Sequence, residues 1–181
     1  MADRELQKDE VFIGLNRRKL RTFTIIYGAL ALIGLLSFFW IAEHQIMLSP
    51  LFFQIAGVVW VIFFAIVAGT FLKRLNDPEA GIFLNATGIT DRSSSIAVGQ
   101  VSWKQVVTIE RKSKSSKHLL IQVKGKEAIL KSAKNGAVRR LMEQNVRLYN
   151  TPVVLDGGVL NCNFNELEKQ VTIFFEKYGK H

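Results

Sequence analysis

The lysine and arginine side chains of this sequence are its best candidates for binding a ligand, and they concentrate in one stretch. From Lys104 to Arg140 there are 11 lysines and arginines, against two acidic residues, Glu110 and Glu127. Such a concentration of positive charge attracts anions, and salt weakens the attraction. Six of these cations are predicted to form an anion- or lipid-binding site: Arg111, Lys112, Lys114, Lys117, Lys124 and Lys126. The alternative interpretation is a solvated basic face that holds no ligand.

The common catalytic and nucleotide-binding motifs are absent from the sequence. Residues 124–127 (KGKE) form a turn and not a phosphate loop, because the earlier glycines and a following Ser or Thr are missing. There is no HExxH, no CxxC and no nucleophile elbow. His44, His118 and His181 lie far apart in the sequence. Because catalysis needs an acid, base or nucleophile placed together, we predict a protein that is not an enzyme and uses no cofactor or metal.

Two apolar segments precede the basic stretch and must position it. Thr22–Ala42 and Leu51–Leu72 are 21 and 22 residues long and contain no charge. A helix rises about 1.5 Å per residue, so each segment can cross a hydrocarbon core about 30 Å thick. The second contains 14 Leu, Ile, Phe and Val residues, which favour insertion by roughly 4–8 kcal/mol. We predict a transmembrane hairpin over 22–72, in preference to buried core helices or a cleaved signal peptide.

The basic residues beside these segments predict their orientation. Six lie next to the two spans, at positions 17–19, 21, 73 and 74, and the loop Glu43–Pro50 has none. The positive-inside rule therefore places both termini in the cytoplasm. Neither span contains an ionisable residue of the kind that marks an ion path or proton relay.

Small residues in each span predict close helix packing. They are Gly28, Ala31 and Gly34 in the first segment and Gly57, Ala65 and Gly69 in the second. Small side chains let helix backbones approach closely in lipid. The two faces either pack against each other or form the contact of a homo-oligomer, and the sequence leaves both interpretations open.

The regions outside the hairpin are predicted to be cytoplasmic. They are an N-terminal segment (1–21), a short linker (73–81) and one soluble domain (82–181). From Lys73 onward there are 18 basic and 10 acidic residues, a net charge of +8. Val11–Leu15 is either a short strand that pairs with the domain or part of a disordered tail. The single cysteine, Cys162, excludes an internal disulfide.

The domain is predicted to begin with short antiparallel strands between Ile82 and Leu130. Alternating apolar residues mark the strands, the polar run 111–117 (RKSKSSK) forms a hairpin loop, and Ala128–Leu130 is the last strand of the series. Four residues are predicted to face inward: Val101, Trp103, Val107 and Ile109.

Helical periodicity appears after this run. Val138 to Leu148 has helical spacing with Asn135 as a cap, and residues 151–158 (TPVVLDGG) predict a strand and a turn. The last helix has Asn163 as its N-cap and carries an apolar stripe. The stripe consists of Phe164, Leu167, Val171, Phe174, Phe175 and Tyr178. The domain is therefore predicted to be an antiparallel sheet closed by a C-terminal amphipathic helix.

Two stretches carry a resemblance to a protein family. The first, GIFLNATGITDRSSSIAVGQVSWKQVVTIE, sets Trp103 in a V-x-W-x-x-V pattern, and the second, LYNTPVVLDGGVLNCNFNELEKQVTIFFEKY, leads from a Y-x-T-P turn into the last helix. With the hairpin, they resemble uncharacterised bacterial two-span inner-membrane proteins that have a pleckstrin-homology-like (PH-like) cytosolic domain. Gln105 departs from the family, which often has an acidic residue there.

The resemblance implies an α+β membrane protein of the bacterial inner membrane and supplies no catalytic residues. The first hypothesis is a non-enzymatic binding or regulatory module that acts through a basic PH-like domain. Its expected partners are the anionic head groups of membrane lipids, or a protein. The alternative is an accessory or immunity-type subunit whose hairpin binds the partner or forms a homo-oligomer. Nucleic acid is not expected as a partner, because the loops lack interleaved aromatic residues.

Overall fold

The computed structural model describes residues 10–36, 49–94, 96, 98–113 and 115–179. The chain divides into two compact units. One runs from Arg17 to Pro78 and contains the apolar helices. The other is an α+β unit made of the residues from Glu79 onward together with the segment that ends at Asn16.

Two antiparallel helices form the apolar unit, α1 (Arg17–Leu36) and α2 (Pro50–Leu75). The predicted span Leu51–Leu72 lies within α2, whereas residues 37–42 of the first predicted span lie outside the described part of the chain. Ser49 caps α2, with its hydroxyl oxygen accepting from the Phe52 amide at 3.4 Å. Pro50 fits the first turn because its missing N–H has no partner there in any helix.

Aromatic contacts hold α1 and α2 together. The rings of Phe23 and Phe71 lie 5.4 Å apart, and those of Tyr27 and Phe71 stack at 5.5 Å. The Trp60 indole nitrogen donates a hydrogen bond to the Leu30 carbonyl oxygen at 2.8 Å. Most of the remaining surface of these helices is apolar and exposed. In the most apolar 18-residue segment of each helix, 11% is buried in α1 and 6% in α2. Both helices are long and apolar enough to cross a membrane.

The predicted small-residue faces are used only in part between the two helices. Gly34 is buried, and a Cβ atom there would lie 3.0 Å from the Val61 side chain. Gly57 is also buried, whereas Ala65 and Gly69 are exposed. A Cβ atom at Gly28 or Gly69 would meet nothing within 4 Å. The packing of α1 on α2 therefore leaves part of the small-residue ridge of α2 uncovered.

A four-stranded antiparallel sheet begins the α+β unit. Its strands are β1 (Val11–Gly14), β2 (Gly81–Asn85), β3 (Gly88–Asp91) and β4 (Gly99–Ser102), in that order across the sheet. β1 comes before both apolar helices in the sequence, yet it pairs with β2, with Ile13 opposite Ile82. The sequence left this segment as either a strand or part of a disordered tail, and the structure has the strand. The α+β unit therefore contains residues that precede and residues that follow the apolar helices in the sequence.

A second, three-stranded antiparallel sheet and three helices complete the unit. The strands are β5 (Val106–Arg111), β6 (His118–Val123) and β7 (Val153–Asp156). The helices α3 (Lys126–Lys131) and α4 (Gly136–Tyr149) lie between β6 and β7, and α5 (Phe164–Tyr178) follows β7. One sheet was expected from the sequence, and the strands divide into two.

The predicted strand Ala128–Leu130 is wrong, because these residues belong to α3. The segment KEAILK consists mostly of good helix formers, and only Ile129 is β-branched. Gly125 starts the helix from the left-handed region (φ 69°), and its carbonyl oxygen accepts from the Ala128 amide at 3.0 Å. Glycine adopts this conformation without the steric cost that other residues pay.

Within the stretch Val101–Ile109, the prediction of inward-facing side chains is correct for Val101 and Trp103 and wrong for Val107. Val101 and Trp103 are each 1% exposed, but Val107 is 46% exposed. Residues 103–105 form one turn of 3₁₀ helix, and the β5–β6 register shifts between Val106 and Thr108. Both features disturb the alternation of period two, so that Val106 takes the inward position.

The C-terminal helix α5 closes the core as the sequence predicts. Four residues of its apolar stripe are buried: Phe164, Leu167, Val171 and Phe174. The Asn163 side chain caps the helix by accepting from the Asn165 amide at 3.2 Å. The Trp103 ring lies 6.3 Å from that of Phe174, and its indole nitrogen donates to the Asn85 carbonyl oxygen at 2.7 Å. Trp103 therefore connects the four-stranded sheet to α5.

Candidate anion-binding surface

The β5–β6 hairpin brings three of the six predicted site residues together at one end of the three-stranded sheet. Arg111 ends β5, and Lys112 and Lys117 lie in the loop that follows. The loop is closed by a hydrogen bond from the Lys112 amide to the His118 carbonyl oxygen at 3.2 Å. Lys114 lies outside the described residues. The predicted polar hairpin loop is confirmed, since β5 and β6 pair on either side of it.

Arg111 is held by α5 and does not point freely into solvent. Its Nε atom donates to Glu168 Oε1 at 3.3 Å, its Nη2 atom pairs with Glu168 Oε2, and Nη2 also donates to Asn165 Oδ1 at 2.9 Å. The guanidinium carbon lies 4.8 Å from the Phe164 ring centroid. The hydrogen bond that Arg111 donates to the Glu168 carboxylate raises the pKa of Arg111 above its ordinary value, so the guanidinium stays charged. The charge of Arg111 is thus neutralised within the domain.

Two predicted lysines converge on the C-terminal end of α4. Lys112 Nζ donates to the Tyr149 hydroxyl oxygen at 2.7 Å and lies 4.7 Å from the centroid of that ring. Lys126 Nζ donates to Asn150 Oδ1 at 2.6 Å. Asn150 ends the helix in the left-handed conformation (φ 59°). Positive charge is favourable at a helix C-terminus, so both lysines stabilise the fold where they are.

The other two predicted cations are exposed. Lys117 and Lys124 use their backbones to hold neighbouring strands, with Gly157 N donating to Lys117 O at 2.8 Å and Lys124 N donating to Gln105 O at 2.7 Å. Their side chains form no hydrogen bond or ion pair with any residue that the structure describes. Of the five described members of the predicted site, these two can therefore bind an external anion without breaking an internal contact.

A further set of exposed cations lies on α3, on α4 and in the link between them, outside the predicted set of six. Lys131, Lys134 and Arg140 are exposed, and so is Arg147, which follows the basic stretch in the sequence. Two exposed leucines, Leu141 and Leu148, accompany them on α4. The sequence does contain a signal for this surface. Arg140 and Arg147 are seven residues apart, as are Leu141 and Leu148, and this spacing puts each pair on one side of a helix.

A cavity of about 250 Å³ lies against the four-stranded sheet. Phe12 and Phe83 stack in its wall with ring centroids 4.3 Å apart, and the Arg92 guanidinium carbon lies 5.9 Å from the Phe83 centroid. Arg92 also pairs with Glu79 at 2.5 Å. The cavity is lined by Glu10, Val11, Phe12, Phe83, Leu84, Asn85, Thr90 and Arg92. The sequence did not predict this cavity, because its walls come from one strand that precedes the apolar helices in the sequence and from strands that follow them.

Among the residues that the structure describes, no three His, Cys, Asp or Glu side chains lie close enough together to hold a metal ion. Comparison of the chain with protein-family models, curated proteins and solved structures found no match.

Proposed function

We propose that this protein is a non-enzymatic, membrane-anchored binding or regulatory module. In this proposal α1 and α2 span the bacterial inner membrane and the basic α+β unit acts at its cytoplasmic face, with both termini in the cytoplasm. The observation that carries the proposal is the exposure of the two apolar helices. The most apolar 18-residue segment of α2 has a mean hydropathy of 2.5, yet only 6% of it is buried.

This exposure argues against a soluble core. A core helix buries its apolar side chains, whereas α2 leaves Ile62, Phe63 and Ile66 between 54% and 63% exposed. An apolar surface of this size is costly in water and suits hydrocarbon. At about 1.5 Å per residue, the 26 residues of α2 exceed the length needed to cross a bilayer.

The form of the α+β unit supports the PH-like part of the proposal. Antiparallel strands are followed by a terminal helix whose apolar stripe covers the core, as the resemblance implies. Few residues separate the end of α2 at Leu75 from the start of β2 at Gly81. A spanning α2 would hold the residues that follow it close to anionic head groups; from Lys73 onward their net charge is +8, and each basic residue near the surface contributes about 1 kcal/mol of attraction.

The test of this proposal is the membrane topology of the full chain. We expect the expressed protein to remain in the membrane pellet after alkaline carbonate extraction. A tag at the C-terminus should be cleaved by added protease in inverted vesicles and protected in right-side-out spheroplasts. Recovery in the soluble fraction, or cleavage of the tag from the outside, would contradict the proposal.

The exposed small-residue ridge of α2 favours a second candidate, an accessory or immunity-type subunit. Ala65 and Gly69 are not covered by α1, and small residues allow close approach of another helix in lipid. In this candidate the hairpin binds the partner, or a second copy of the chain. Single-molecule photobleaching in native-membrane particles counts the copies of the chain and so tests the second case. A homo-oligomer formed through this ridge should dissociate when Gly69 is replaced by Leu.

A further inference from the structure

Helix α4 has one face in the core and another that is exposed. Met142, on the core side, is fully buried. Six of the exposed residues of α4 recur at helical spacing and form one continuous stripe, which we call the α4 outer face. Its members are Ala137, Arg140, Leu141, Gln144, Arg147 and Leu148. They stand at positions i, i+3, i+4, i+7, i+10 and i+11, the spacing of one side of a helix.

Two leucines on this face are unusually open to solvent. Leu141 is 41% exposed, and Leu148 is 61% exposed, the largest value for a large apolar residue in the described part of the α+β unit. A single exposed leucine needs no explanation. Here two of them lie seven residues apart, about 10 Å along the axis, and share one side of the helix. Such a pair can enter an apolar layer together.

Arginines flank these leucines and carry their charge outward. No ion pair joins Arg140 or Arg147 to any residue that the structure describes, whereas Arg139 pairs with Glu143 at 2.9 Å. Lys131 and Lys134, just before the helix, are exposed as well. From Lys131 to Leu148 there are five basic residues and one acidic residue, a net charge of +4. The face therefore combines free positive charge with protruding apolar groups.

We infer that the α4 outer face docks on an anionic lipid surface. Leu141 and Leu148 insert at the level of the head groups while Arg140 and Arg147 bind lipid phosphates, an arrangement typical of helices that lie in a membrane interface. This inference rests on the proposed function, because a membrane anchor brings the domain to a lipid surface. It assigns the contact to α4 and not to the β5–β6 hairpin, where Arg111 and Lys112 are engaged in contacts within the domain and Lys117 alone of the described predicted cations is free.

The test measures the depth of spin labels on the full chain in nanodiscs. A Cys162→Ser background receives one nitroxide at position 148, 173 or 62. The label at 148 reports on the α4 outer face, and the label at 173 replaces Ile173 of α5, which is 44% exposed. The label at 62 replaces Ile62 of α2 and reports on anchoring. Collision with oxygen and with a water-soluble nickel chelate gives the depth of each label.

We expect the label at 148 to be protected from the nickel chelate in discs that contain phosphatidylglycerol and to be accessible in phosphatidylcholine discs. The label at 173 should be accessible in both. Arg140→Glu with Arg147→Glu should abolish the protection at 148. The matched control, Lys104→Glu with Lys169→Glu, changes the charge equally at exposed positions elsewhere and should leave it intact.

The outcomes separate the inference from the proposed function. Protection at 62 with full accessibility at 148 on anionic discs overturns the inference and leaves the anchor standing. Accessibility at 62 overturns the anchor itself. Equal protection at 148 and 173, or protection that survives the two glutamates, also overturns the inference, because contact would then not depend on the arginines of this face.

Discussion

Arg111 on β5 and Glu168 on α5 form a forked ion pair that fastens the C-terminal helix to the three-stranded sheet. The guanidinium uses Nε and Nη2 on the two carboxylate oxygens and reaches Asn165 with Nη2 as well. Phe164 packs under the same guanidinium. Arginine suits this position because its planar fork matches a carboxylate and can also stack on a ring, which lysine does not do.

The first prediction concerns this pair. Arg111→Lys should lower the stability of the α+β unit, because an ammonium group replaces the forked contact with a single point charge. Glu168→Gln should lower it as well, and the double variant should cost less than the sum of the two. Thermal unfolding in detergent, followed by circular dichroism, measures the coupling. Additive losses would mean that the two side chains do not stabilise each other.

The partners of the predicted cations explain why the site could be predicted only in part. The clustering of positive charge is visible in the sequence, and so is the hairpin loop. However, Arg111 meets Glu168 across 57 residues and Lys112 meets Tyr149 across 37. Contacts at this range depend on how α4 and α5 pack, which no local pattern contains. Lysines with internal partners and lysines free for a ligand therefore look alike in the sequence.

The fold was predictable where one strong periodicity governs a segment. The stripe of α5 and the Asn135 cap of α4 depend on local patterns, and the structure contains them. At Val11 the local pattern left a strand and a disordered tail both open, and the structure has the strand, paired with β2. Prediction was wrong where two patterns compete in a few residues. At Val107 a 3₁₀ turn and a register shift override simple alternation. In α3 the short apolar run Ala128–Leu130 suited either structure, and helix propensity prevailed.

A second prediction concerns the indole of Trp103. Trp103→Phe keeps most of the buried ring but removes the hydrogen bond to the Asn85 carbonyl oxygen at 2.7 Å. We expect a loss of about 1–2 kcal/mol in the free energy of unfolding, close to the value of one hydrogen bond plus a small void. Trp103→Ala should cost roughly 3–5 kcal/mol. Equal stability of the Phe variant and the wild type in denaturant titrations would show that the hydrogen bond contributes nothing.

A third prediction compares two glycines of the α+β unit. A Cβ atom at Gly88 would overlap the Val101 carbonyl oxygen and lie 3.0 Å from Ser102 Cα, so Gly88→Ala should separate β3 from β4. A cost of at least about 2 kcal/mol is expected from such overpacking. Gly136, at the start of α4, has nothing within 4 Å of its Cβ position. Gly136→Ala should stabilise by about 0.5–1 kcal/mol. Thermal melts that rank the two variants in the opposite order would refute the packing described for β3.

The contribution of β1 leads to a fourth prediction. Ile13 is 8% exposed and lies opposite Ile82, although the whole apolar unit separates them in the sequence. Ile13→Ala should destabilise the α+β unit by about 2–4 kcal/mol, as for other buried isoleucines. Ile173→Ala, at a site 44% exposed, is the matched control and should cost under about 1 kcal/mol. Limited proteolysis of the full chain should cut the Ile13→Ala variant within the residues after Glu79 before it cuts the control. Identical digestion of the two would argue that the domain is stable without this strand.

The last prediction concerns a hydrogen bond between the two apolar helices. Trp60 Nε1 donates to the Leu30 carbonyl oxygen at 2.8 Å, which ties α2 to α1. Hydrogen bonds between membrane helices contribute about 0.6 kcal/mol on average and up to about 1.7 kcal/mol. Trp60→Phe should reduce the stability of the hairpin by an amount in this range.

The measurement is unfolding of the full chain in mixed micelles as the fraction of dodecyl sulfate rises. Ile62→Ala removes an apolar side chain that is 54% exposed and serves as the control, because that side chain has no hydrogen-bonding group. A loss at Trp60 no larger than the loss at Ile62 would mean that ring packing, and not the indole hydrogen bond, holds the two helices together.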